Sequence, residues 1–135
     1  MANALYGKGR EAFLSGDIDW LVDTIKVALI DTAAYTVSID VHDFWDDASA
    51  GLVGTAQTLG TKTATLGVAD AADVSFTGLV AAPSIEALII YKDTGTPSTS
   101  NLIAYIDTAT GLPVAAGATQ VDVAWDSGAN KIFKL

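Results

Sequence analysis

Apolar residues in this chain come in short β-branched runs, and turn residues interrupt them every 10–15 positions. That rhythm limits the fold more than any other feature. An amphipathic helix needs a longer segment with apolar residues three and four apart, whereas a strand needs only four to eight residues. Residues 24–30 and 85–91 are the most continuous apolar runs and read as buried strands. Residues 33–37 extend the first of these or begin the next. Residues 51–60 read as extended, 61–66 as a half-exposed strand alternating threonine with other residues, and 74–78 and 120–125 as cleanly alternating strands. Residues 102–106 pair with 85–91 in an antiparallel hairpin across the loop 92–101, and 131–135 close the chain as a short strand. Residues 67–73 and 126–130 read as turns, 108–118 as a connection carrying Gly and Pro, and 40–47 as a loop or single helical turn.

Seven or eight strands at this spacing predict an all-β fold, a β-sandwich, with the jelly roll as one form it can take. The expected core comprises Ile25, Val27, Leu29, Leu88, Ile90, Ile103, Tyr105, Val121 and Val123. Residues 1–20 form an N-terminal helix or arm, and residues 21–135 the sandwich domain. Within the arm, residues 4–16 have the makings of one short helix. Leu5, Tyr6, Ala12 and Phe13 can share an apolar face, and Gly16 is a suitable stop. Gly7 and Gly9 weaken it, each by about 1 kcal/mol relative to Ala.

Composition narrows the function. Half of the 135 residues are hydrophobic and 17% are charged, which is the balance of a folded domain. The formal charge of -9 disfavours nucleic acid and anionic membrane surfaces. The acids are nearly all Asp, with Glu only at positions 11 and 86, and Asp suits turns. No cysteine is present, so disulfides, thiolate metal sites and cysteine nucleophiles are excluded. No run reaches the roughly 18 apolar residues of a membrane helix, and the N-terminus lacks a secretory pattern.

No catalytic motif accompanies this composition. Gly7-Lys-Gly-Arg-Glu-Ala12 matches a dinucleotide-binding pattern on paper, but no strand precedes it. His42, the single histidine, stands between Asp40 and Asp43. A metal ligand or a general base is one reading of it; a turn histidine bonded to a nearby carboxylate or backbone carbonyl is the stronger one. The Asp clusters 17/19, 43/46/47 and 70/73 do not fit the helix–loop–helix calcium spacing and read as turn caps. The expectation is therefore no enzyme, no cofactor and no metal site. Trp20 and Trp125 read as core, while core and contact surface stand equal for Trp45.

Three blocks carry a resemblance. The first is Asp23-Thr-Ile-Lys-Val-Ala-Leu-Ile-Asp31, followed by Tyr35-Thr36 and by Asp40-Val-His42 with Phe44 and Asp46. The second is Glu86-Ala-Leu-Ile-Ile-Tyr-Lys-Asp-Thr-Gly-Thr96, continued by Ser100-Asn-Leu-Ile-Ala-Tyr-Ile-Asp107. The third is Val123-Ala-Trp-Asp-Ser-Gly-Ala-Asn-Lys-Ile-Phe-Lys-Leu135. Together they resemble a family of small virion structural proteins of tailed bacteriophages. The resemblance implies a capsid decoration or cement protein, made in the host bacterial cytoplasm and carried on the outer capsid surface. Its partners would be the major capsid protein and other copies of itself. A tail, collar or fibre component is the alternative, and a carbohydrate-binding module using Trp45 a more distant one. The expected contact residues are Leu5, Tyr6, Lys8, Arg10 and Phe13 of the N-terminal segment, with Phe44 and Trp45 of the following loop.

Overall fold

The computed structural model describes residues 3–135 and is all-β, with two short α-helices. The strands are β1 (Ala4–Leu5), β2 (Ile25–Ile30), β3 (Leu52–Thr58), β4 (Thr63–Thr65), β5 (Val68–Asp70), β6 (Val74–Phe76), β7 (Ala87–Lys92), β8 (Leu102–Ile106), β9 (Val121–Val123) and β10 (Phe133–Lys134). The helices are α1 (Gly7–Ser15) and α2 (Trp45–Ala48). Five strands make the central sheet, in the order β1-β8-β7-β2-β3. Two small sheets, β10-β5-β4 and β6-β9, complete the structure. Sheets of five, three and two strands are sandwich-like, but they are not the paired four-stranded sheets of a jelly roll.

The central sheet is buried on both faces, which explains why β2, β7 and β8 read as continuous apolar runs. Alternate residues supply two cores. Ile25, Val27, Leu29, Leu88, Ile90 and Ile103 point to the first, where the small sheets contribute Ala69 and Phe76 and the loops contribute Trp20 and Ile85. Ala28, Ile30, Ala87, Ile89, Tyr91, Leu102 and Tyr105 point to the second, which is closed by Tyr6, Tyr35, Trp45 and Ala48. Seven of the nine expected core residues are therefore core. Val121 and Val123 are half-buried instead, because β9 sits in a two-stranded ribbon with one flank in water.

Three elements differ from expectation: residues 4–5, expected as part of the helix 4–16, form strand β1, because they pair with β8. Residues 33–37 form no strand. Asp31 Oδ1 accepts from the Ala33 amide at 2.9 Å, and the Ala34 amide donates to the Asp31 carbonyl at 3.1 Å, so the chain turns. Residues 67–73, expected as a turn, contain β5. The turn is shorter: Leu66 and Gly67 have φ of 54° and 76°, and Thr65 lies opposite Val68 across a two-residue hairpin. Leu66 is a poor residue for that conformation, so the usual Asn-Gly signal is missing.

The N-terminal segment belongs to the central sheet. β1 pairs with β8, Ala4 opposite Tyr105 and Leu5 opposite Ala104. Helix α1 then lies against β8 and ends at Gly16, which adopts φ 82°. Gly9 explains how so weak a helix holds its place. A Cβ there would sit 2.4 Å from the Leu102 carbonyl oxygen and 3.2 Å from the Ile103 Cα, so the helix backbone rests directly on the strand. Gly9→Ala should therefore destabilise the protein by about 1–3 kcal/mol, as overpacking does, despite alanine's better helix propensity. A urea titration that found Gly9→Ala more stable than wild type would refute this close packing.

Glu86 ties the 31–34 turn to the start of β7. Its carboxylate accepts from the Thr32 amide at 3.0 Å, from the Thr32 hydroxyl at 3.2 Å and from the Ser84 hydroxyl. The Ser84 hydrogen bond, then that of the Thr32 amide, holds this carboxyl below the usual glutamate value. A depressed folded value means stability that is complete above the unfolded glutamate value of about 4.3 and is lost as pH falls through the lower folded value. Glu86→Gln should flatten part of the acid-side decline in stability below about pH 4. Identical acid limbs for wild type and variant in pH-resolved denaturation would refute this.

Candidate functional site: a groove between the N-terminal helix and the Phe44 loop

The structure separates the seven expected contact residues into four environments. Lys8 and Phe44 come together. They line one shallow groove of about 360 Å³, with Glu11 and Ser15 from α1 and Asp43 and Asn101 from the facing loops. Tyr6 and Trp45 are inside, 0% and 7% exposed, and so are core residues of this chain. Leu5 and Phe13 are half-buried and pack against the first core, with the Phe13 ring 6.0 Å from that of Phe133. Arg10 is exposed, its guanidinium 3.9 Å from the Asp40 carboxylate.

Backbone hydrogen bonds build the groove. The Tyr6 amide donates to the Ile103 carbonyl at 2.9 Å, and the Gly7 amide to the Ile39 carbonyl at 2.9 Å, which fixes the start of α1. On the opposite wall, the Leu102 amide donates to the Asp43 carbonyl at 2.9 Å and the Trp45 amide to the Ser100 carbonyl at 2.8 Å. Phe44 is thereby bridged to Asn101 at the entrance to β8, the strand on which α1 also rests. Both walls are thus referred to one strand, and their spacing is set by backbone. Lys8 reaches Glu11 at 3.0 Å, an exposed pair of little energetic weight. The groove sets Lys8, the half-buried Phe44 ring and Asn101 beside three acidic residues, Glu11, Asp17 and Asp43.

At the second core lies a polar chain that sequence reasoning missed. The Ser38 amide donates to His42 Nδ1 at 3.2 Å, so that nitrogen is an acceptor. The Tyr35 hydroxyl, 2.8 Å away, then donates to the same nitrogen, and the Tyr6 hydroxyl donates to Tyr35 over 2.9 Å. Burial, with the Tyr35 hydrogen bond next, pushes the Tyr6 phenol far above its ordinary value, so it stays protonated. His42 is thus a turn histidine bonded to backbone, through an amide rather than a carbonyl. The only sequence signal for this chain was the presence of tyrosines at positions 6 and 35, which no local pattern links.

The remaining chemistry-bearing residues serve the fold. Asp19 Oδ1 accepts from the Leu21 and Val22 amides, and Asp73 Oδ1 accepts from the Trp125 amide. Among the described residues, no three His, Asp or Glu side chains gather where a metal ion could be held. Trp45 offers no stacking platform for a sugar, because its ring lies 4.3 Å from that of Tyr91 at an angle of 4°. Trp20 is core, as expected, while Trp125 is half-buried at the edge of the first core. Among the described residues no helix is long and apolar enough to cross a membrane. No protein-family model matches the chain, and no curated protein matches it.

Proposed function

We propose that this protein is a structural component of a tailed-bacteriophage virion, a decoration protein that binds the outside of the capsid and bridges its subunits. The resemblance of the three sequence blocks to small virion proteins supports the reading. The observation that carries it is the groove between α1 and Phe44. It sets Lys8 and the half-buried Phe44 ring beside the acidic residues Glu11, Asp17 and Asp43, and aromatic side chains are frequent anchors of protein interfaces. The work such a protein does is mechanical. Each contact is modest, but many copies over a shell raise the force needed to part the subunits.

Removing the whole N-terminal segment would be a poor test, because β1 and Tyr6 leave with it. Lys8→Glu and Phe44→Ala alter the groove and leave both in place. Particles assembled without this protein, mixed with each variant and sedimented, should carry about tenfold less of it than with wild type. Full occupancy by both variants would overturn the groove as the docking site. Wild-type protein that sediments with isolated tails and leaves heads bare would move the assignment to a tail, collar or fibre component.

A further inference from the structure

Two sheet edges line one groove. β1 is the outermost strand of the central sheet, and β10 is an outer strand of the three-stranded one. A groove of about 500 Å³ takes Asn3 and Leu5 from the first segment and Phe133 and Lys134 from the second. Ala104, which packs into the first core, and Tyr105, which packs into the second, both reach it. A groove that touches residues from both faces of a sheet lies along its edge.

The phase of the hydrogen bonds shows what that edge presents. The Tyr6 amide donates to the Ile103 carbonyl at 2.9 Å, and Ala4 lies opposite Tyr105. Opposed pairs in an antiparallel ladder alternate between bonded and non-bonded. Tyr6 and Ala4 therefore bond to β8, and the peptide groups of Asn3 and Leu5 face away from it. On β10 the Leu135 amide donates to the Gly67 carbonyl at 3.0 Å, so the peptide groups of Lys134 face away from β5. An amide and a carbonyl facing outward at every second residue are what an added strand pairs with. β1 carries neither a proline nor a charged side chain, the usual protections of an edge.

The charge in the groove is opposite to that of the molecule. The chain carries 16 acidic and 7 basic residues, yet no Asp or Glu lines the groove and Lys134 does. Each of the other six basic side chains meets a carboxylate or a backbone carbonyl. Among the described residues Lys134 meets neither. Leu5, Ile106 and Phe133, each half-buried, supply apolar contact beside it.

We propose that this groove binds an extended peptide, which adds as a strand to β1 and places a carboxylate at Lys134. The outward backbone groups select an extended chain over a helix. The half-buried apolar residues select apolar side chains at alternate positions, and Lys134 fixes the acidic one. The inference does not rest on the capsid reading, which uses the groove beside Phe44.

Selection from a library of short random linear peptides, against the whole chain, provides the test. Enriched peptides should alternate apolar with polar residues and share one Asp or Glu. Lys134→Glu should weaken binding of the best of them, as a synthetic peptide, by about tenfold. Selection against that variant should return Lys or Arg in place of the acid. Lys134 is exposed, so circular dichroism should show an unchanged fold. N-methylation of alternate peptide residues should abolish binding in one phase and spare it in the other, because only alternate amides face β1. Amide exchange at Leu5 should slow on binding, and Lys8→Glu and Phe44→Ala should bind the peptide as wild type does. A library that yields no binder, binders with helical spacing, equal affinity for wild type and Lys134→Glu, or unchanged exchange at Leu5 would each overturn the proposal.

Discussion

Trp45→Ala should lower the unfolding free energy by about 3–5 kcal/mol, the range for removing a large buried aromatic. The indole is 7% exposed and stacks on Tyr91 of the central strand β7. It also closes the second core together with Tyr6, Tyr35 and Ala48. No sheet covers this face of the central sheet; the cover is the irregular segment between β2 and β3. Backbone hydrogen bonds tie this segment to the fold, from Asp31 to Gly51 and from Trp45 to Ser100, and its side chains supply the apolar contact with the sheet. Losing the largest of them leaves a cavity against Tyr91 and loosens the loop that carries Phe44. Trp125→Ala is the internal control. That ring is half-buried and its indole N–H donates to the Ala72 carbonyl at 3.1 Å, so its loss should cost clearly less. Chemical denaturation measures both; a Trp45→Ala penalty below about 1 kcal/mol would show that the second core does not depend on this ring.

Leu88→Ala should cost about 2–5 kcal/mol, and less than Ile90→Ala two residues on. Both side chains face the first core from β7, Leu88 at 4% exposure and Ile90 at 0%. Leu88 lies opposite Leu29 on one side and Ile106 on the other. It also lines two surface grooves, alongside Leu112 and Val123 in one and Trp125 and Ile132 in the other. Those half-buried neighbours can relax into the space that the substitution opens, and water can reach it. Ile90 has no such outlet, and its cavity stays empty. Equal penalties for the two variants, or a larger one for Leu88, would mean that β9 and its flanking loops pack more rigidly than their exposure implies.

The seven expected contact residues do not share one surface. Of these, only Lys8 and Phe44 line the groove beside α1. Tyr6 and Trp45 look equally suitable on paper, because an aromatic residue in a short, irregular segment carries no periodicity that says which way it points. Their burial depends on a sheet face built from residues 28–30, 87–91 and 102–105, remote in sequence from both. Gly9 shows the same limit. Locally it only weakens a helix, and its use appears once β8 is seen to pass beneath it.

Sequence alone determined the all-β class, the positions of β2, β7 and β8, the hairpin joining the last two, and the absence of thiol chemistry. These follow from local physics: side-chain period, β-branching, turn residues and composition act over a few positions. Tertiary structure alone decided that the central sheet is covered on both faces, that β5 exists within an apparent turn, and that β9 lies at an edge. Those outcomes depend on which distant segments pair. Pairing is settled by burial and backbone hydrogen bonding summed over the whole chain, which no window of sequence contains.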